Sequence, residues 1–209
     1  MSMHPTLQHP KRGTLVRLLH RITEDEMIAC YLRAEIPSER FGHKILMQLK
    51  RDNKDISIVN APDLSSKKDN AYRRHLLASY RAYVFESLPR HTAWYRAALS
   101  RDEVTKIRYI DYSYWNEISD NTRLPSVAVK AILAGREIYG QSTEGFLAVA
   151  QALRAGTQFP ELIVVGASPD AVLTVFEGHV RLTAYLLAPE CIPAELEVIA
   201  GFAPECAMI

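Results

Sequence analysis

Glu177-Gly178-His179-Val180-Arg181-Leu182-Thr183-Ala184-Tyr185-Leu186-Leu187-Ala188 follows an apolar run, Ala171 to Phe176, and ends at Pro189. The order reads as strand, tight turn, helix. Gly178 permits a sharp turn, Leu182, Tyr185 and Leu186 recur at helical spacing, and Pro189 stops the helix. The first turn of such a helix offers backbone N–H groups at its positive end, with the His179 and Arg181 side chains beside them. Two readings of the turn stay open at this point. Gly178, His179, Val180 and Arg181 form a phosphate or carboxylate pocket, or Arg181 makes a structural ion pair on a buried helix.

Upstream, Leu162 to Val165 and Ala171 to Phe176 are apolar runs flanking Gly166-Ala167-Ser168-Pro169-Asp170, a turn-rich loop of hairpin length. Downstream, Pro193 precedes a further strand, Glu195 to Ile199. Helix, strand, hairpin, strand, helix, strand predicts an α+β domain with a small mixed sheet carrying the Gly178 turn at its edge.

This ordered set resembles the core of the ParB/sulfiredoxin superfamily. The resemblance opens at Leu153-Arg154-Ala155-Gly156-Thr157-Gln158-Phe159-Pro160-Glu161-Leu162-Ile163-Val164-Val165, similar to the family's helix, G…Q.P turn and first strand. It runs through Gly178-His179-Val180-Arg181-Leu182-Thr183-Ala184 to the strand ending at Ile199. Gly178 and Arg181 fall where the family has its glycine and its phosphate-contacting arginine, and Ala184 on its small helix residue. His179 departs from the pattern, since ParB proteins carry glutamate there and sulfiredoxins a reactive cysteine. The resemblance implies a nucleotide or another phosphorylated small molecule as ligand, magnesium arriving with a nucleotide, and phosphoryl transfer or hydrolysis as chemistry.

A chain of 209 residues can bury a sizeable core, and 48% hydrophobic with 23% charged residues is ordinary for a globular protein. A formal net charge of +1 gives no global attraction to nucleic acid or membranes. No apolar run reaches the roughly 18–20 residues that span a bilayer, and Met1 to Arg12 lacks a signal-peptide apolar segment. The expectation is a cytoplasmic protein with no membrane partner. Cys30, Cys191 and Cys206 are odd in number and widely spaced, which argues for reduced thiols rather than a disulfide framework or a zinc site.

The first part of the chain reads as a mainly helical region over residues 1–104, packed on a core over 105–209. Met1 to Gly13 is expected to be a loose or docking arm. Thr23 and Glu26 have capping-box spacing and start a helix through Ala34. A second helix is expected over Glu39 to Arg51, a short strand at Ile56 to Val59, and a flexible loop over Pro62 to Asn70. Ala71 to Leu88 is a strong helix, with Leu76, Leu77, Tyr80, Val84 and Leu88 on one face and Arg73, Arg74 and Arg81 off that stripe. Those arginines form either a solvated charged face or a contact for a nucleic-acid backbone. After Pro89, Thr92 to Ser100 is read as another helix burying Trp94, Tyr95, Ala98 and Leu99.

Ile107 to Tyr112 alternates as a strand does and leads to Asp111, Tyr114 and Trp115, expected to line the same cleft as the Gly178 turn. Helices over Pro125 to Ala134, closed by Gly135, and over Glu144 to Ala155, capped by Ser142 or Thr143, complete the reading.

Arg181 offers a fixed fork of donors suited to phosphate oxygens. Glu177 and His179 are the candidate catalytic groups: a carboxylate for a base or for magnesium on a nucleotide, and an imidazole that binds or exchanges a proton. The sequence has no G-x-x-x-x-G-K-[ST], G-x-S-x-G or H-x-x-x-H pattern, so no dedicated metal site is expected. Three functions remain open. They are an enzyme or switch acting on a phosphorylated ligand, a non-catalytic DNA-associated or regulatory module, and a ParB-like nuclease, which needs a carboxylate cluster.

Overall fold

In the computed structural model, which describes residues 16–209, Thr23 Oγ1 accepts from the Glu26 N–H and opens the first helix as its spacing predicts. The elements in chain order are β1 (Arg17–Ile22), α1 (Glu24–Glu35), α2 (Gly42–Arg51), α3 (Ser57–Asn60), α4 (Lys67–Arg81), α5 (Tyr83–Ser87), β2 (Ala93–Ser100), α6 (Arg101–Val104) and β3 (Arg108–Tyr109). There follow α7 (Ser113–Ile118), α8 (Pro125–Leu133), α9 (Glu144–Arg154), β4 (Leu162–Gly166), β5 (Thr174–Glu177), α10 (His179–Leu187) and β6 (Glu195–Phe202). The fold is α+β. The arm expected over Met1 to Gly13 lies outside the described residues.

Six strands form one mixed sheet in the order β1-β2-β6-β4-β5-β3. The predicted hairpin is present: β4 and β5 are antiparallel, while β4 runs parallel to β6 and β3 parallel to β5. Side chains alternate across the sheet as the strand period of two requires. Val164, Val175 and Val198 pack against α8, α9 and α10, whereas Ile163, Phe176 and Ile199 pack against the helices of the first hundred residues. Both faces are thus covered, which is why every residue of β4 is buried.

Several expectations are corrected. Thr92 to Ser100 is a strand, not a helix, and it sits between β1 and β6 with an eight-residue register to β6. A strand buried on both faces loses its polar alternation, so Trp94, Tyr95, Ala98 and Leu99 satisfy a helical spacing by chance. β1 was not anticipated at all. β1 and β2 come from the stretch read as a helical N-terminal region, and together they form one side of the sheet. Residues 56–59 begin a helical turn, α3, rather than a strand.

The expected loop over Pro62 to Asn70 turns helical at Lys67, where Ser66 Oγ accepts from the Asp69 N–H at 3.3 Å. The rest of that loop is tied down. Asn70 Nδ2 donates to the Leu64 carbonyl at 2.8 Å, and buried Arg73 donates to the Ile58 and Asp63 carbonyls at 3.0 and 2.9 Å. Among the described residues no helix is long and apolar enough to cross a membrane.

Candidate functional site

The turn between β5 and α10 depends on Gly178, whose φ of +99° lies in the left-handed region. A side chain there would also collide, because an added Cβ would stand 2.6 Å from Leu162 Cδ2 and 3.1 Å from Arg181 Nη2. Glycine therefore serves both the turn and the close approach. The first turn of α10 is anchored from beneath: Tyr109 Oη and Thr183 Oγ1 lie 2.6 Å apart, and Thr183 Oγ1 donates to the His179 carbonyl at 2.7 Å. Among the described residues no side chain caps the helix start.

This turn opens onto a cavity of about 920 Å³. One wall is the turn itself, Phe176 to Arg181. The opposite wall comes from the first hundred residues and includes Glu35 at the end of α1, Arg40 and Phe41 before α2, and Arg81 and Tyr83 where α4 meets α5. Asp111 and Trp115 close a third side. Tyr114 does not reach the wall; it packs edge-on against Trp115, with ring centroids 5.1 Å apart.

Arg181 is buried, and both its terminal nitrogens are engaged. Its Nη1 donates to the Pro160 and Glu161 carbonyls at 2.7 and 3.1 Å, and its Nη2 to Glu177 Oε1 at 2.5 Å. Of the two readings the sequence left open, these bonds are those of the structural ion pair. Across the cavity stands a second pair, Arg81 Nη2 to Glu35 Oε1 at 2.8 Å, with the Glu35 side chain only 4% exposed. The Arg81 guanidinium also lies 3.7 Å from the Phe41 ring centroid and donates to Tyr83 Oη. Burial and then the charge of Glu177 push the Glu35 carboxyl above its ordinary range, against the pull of Arg81.

The basic helix is corrected as well. Arg73 is buried, Arg74 pairs with Glu24 and Asp25, and Arg81 belongs to the cavity. They make neither a solvated face nor a basic surface for nucleic acid. Arg73 and Arg81 in fact share a stripe with Leu77, Val84 and Leu88 at spacings of three and four. Glu35 likewise follows Ile28, Tyr31 and Leu32 on the apolar face of α1. A charged residue inside an apolar stripe is the signal that would have found both.

His179 stacks on Trp115 at 4.9 Å and 15°, and beside Tyr109 at 6.2 Å. Burial, followed by the positive charges of Arg81 and Arg181, pushes its pKa down to about 3. The imidazole is therefore neutral at physiological pH and suited to hydrogen bonding rather than to proton abstraction. Between pH 6.5 and about 3 the unfolded chain takes up a proton that the folded one refuses, so stability is lost as pH falls. His179→Phe keeps the stack and removes the titration. The stability difference between wild type and variant should shift by about 2 kcal/mol from pH 7 to pH 5, in favour of the variant. Parallel urea titrations at the two pH values check this, and an unchanged difference would contradict a buried neutral imidazole.

Among the described residues no group of three or more His, Cys, Asp or Glu side chains is placed to hold a metal ion. Of the carboxylates in the wall, Glu35 and Glu177 are each held by an arginine. No protein-family model, curated protein or solved structure matches the chain.

Proposed function

We propose that the protein binds a nucleotide or another phosphorylated small molecule in this cavity, with a phosphate on the backbone N–H groups of His179 and Val180. The observation that carries this reading is the uncapped start of α10, which faces a cavity of about 920 Å³ walled by three arginines. Arg181 acts as a positioning residue: it fixes Glu177 and the Pro160–Glu161 strand entry, and so holds the turn in shape. Arg40, exposed at the mouth, and Arg81 supply the positive charge. The resemblance to the ParB/sulfiredoxin superfamily supports the same turn as the phosphate site.

Phosphoryl transfer or hydrolysis in such a site rests on positioning and charge neutralisation, with Glu177 as the candidate base. Magnesium would enter on the ligand's phosphates. A second reading, a regulatory module that binds the ligand without turnover, is favoured by one observation. Glu35 and Glu177 are already engaged by arginines, which leaves neither of them poised for base work.

Thermal unfolding with phosphate, ADP, ATP or CTP, with and without magnesium, tests the binding. A ligand at a hundred times its Kd stabilises by about 2.7 kcal/mol, which moves the midpoint by roughly 5–10 °C for a chain of this size. Arg40→Glu reverses an exposed charge without touching the core, and should weaken the anion by roughly fivefold. No midpoint shift with any of these ligands would remove the proposal. Release of phosphate on prolonged incubation separates the catalytic reading from the regulatory one.

A further inference from the structure

The charge and hydrogen-bonding character of the cavity say what the rest of such a ligand is. Four carboxylates (Glu35, Asp111, Glu177, Glu205) face it against three guanidiniums (Arg40, Arg81, Arg181). A wall with this balance tolerates one phosphate on a helix start but opposes a polyphosphate chain. A cationic ligand body is opposed too, because the carboxylates deepest in the wall are covered by Arg81 and Arg181. What remains is a neutral body.

That body must also be polar. Arg81 Nε and His179 Nε2, on two residues that line the cavity, are buried without a hydrogen-bond partner among the described residues. Buried polar groups are partnered in nine cases of ten or more, so two unpartnered ones on the walls of one cavity are informative. With Glu35, whose Oε1 takes the Arg81 bond, they offer donors and acceptors side by side. Hydroxyl groups, which both donate and accept, fit that mixture.

We infer that the ligand is a polyhydroxylated phosphomonoester, a sugar or polyol monophosphate, with its hydroxyls on the Glu35–Arg81 wall and its phosphate at the start of α10. This rests on the phosphate reading of the Gly178 turn given above. It selects within that reading, against nucleoside polyphosphates.

Calorimetric titration of the full chain with inorganic phosphate, ribose 5-phosphate, glucose 6-phosphate, glycerol 3-phosphate and ATP tests it. At least one of the three esters should bind ten or more times tighter than both inorganic phosphate and ATP. Glu35→Gln frees Arg81 for anions and weakens an acceptor for hydroxyls, so the ratio of ester to phosphate affinity should fall at least fivefold. Inorganic phosphate binding as tightly as every ester, or ATP binding tightest, overturns the sugar inference and leaves the phosphate site standing. Failure of phosphate, ATP and all the esters to bind removes both. The wild-type comparison decides the matter even where the Glu35 variant does not fold.

Discussion

Replacing Arg181 with methionine is expected to cost about 3–5 kcal/mol of folding stability, far more than loss of a ligand contact alone would produce. The side chains of Arg181 and Glu177 are only 10% and 15% exposed, so truncation leaves a carboxylate with little water and no counter-charge. The Pro160 and Glu161 carbonyls lose their donor at the same time. Methionine fills much of the volume, so the effect is electrostatic rather than a cavity. Adding Glu177→Gln to the same chain removes the stranded charge and should recover part of the loss, giving a favourable coupling in a double-mutant cycle. Urea denaturation at neutral pH measures both. A loss under about 1 kcal/mol would mean that Arg181 is not held as described and is available to meet a ligand directly.

Trp94→Ala is the second large effect, again about 3–5 kcal/mol. Trp94 is 4% exposed and sits on β2 between Ile22 of β1 and Gly201 of β6. The match with Gly201 is close: a Cβ at that position would stand 2.6 Å from Trp94 Cζ3, so the ring lies where a side chain on β6 would be. Truncation opens a void against a backbone that two neighbouring strands hold in place, so the sheet collapses into it poorly. The midpoint of denaturant unfolding reports the loss, and a variant as stable as wild type would contradict a central strand at this position. That test bears on the site as well, since the same layer of side chains supports the helices carrying Glu35 and Arg81.

What was legible in the sequence was local. Gly178, Pro189 and the i, i+3, i+4 recurrence of Leu182, Tyr185 and Leu186 fix a strand–turn–helix without help from the rest of the chain. The hairpin of β4 and β5, the capped start at Thr23 and a helix through Leu76, Leu77 and Tyr80 were readable for the same reason, although the Ser66 start of that helix was not. Each rests on contacts between residues a few positions apart.

Two kinds of statement were not readable. Thr92 to Ser100 carries helix-compatible spacing, yet pairing with β1 and β6 on either side makes it a strand. That choice depends on residues about 75 and 100 positions away along the chain. The composition of the site was hidden by the same distance. Arg181 looked like a phosphate ligand until the Pro160 and Glu161 carbonyls and Glu177 took up its donors.

By itself, then, the sequence determined the Gly178 turn, the helix that follows it and the α+β class, because short-range sterics and periodicity decide those. Only the tertiary structure decided that Glu35, Phe41 and Arg81 face that turn across a cavity. Opposing walls from distant parts of the chain meet where both faces of the sheet must be covered, and no local pattern encodes which side chains then become neighbours.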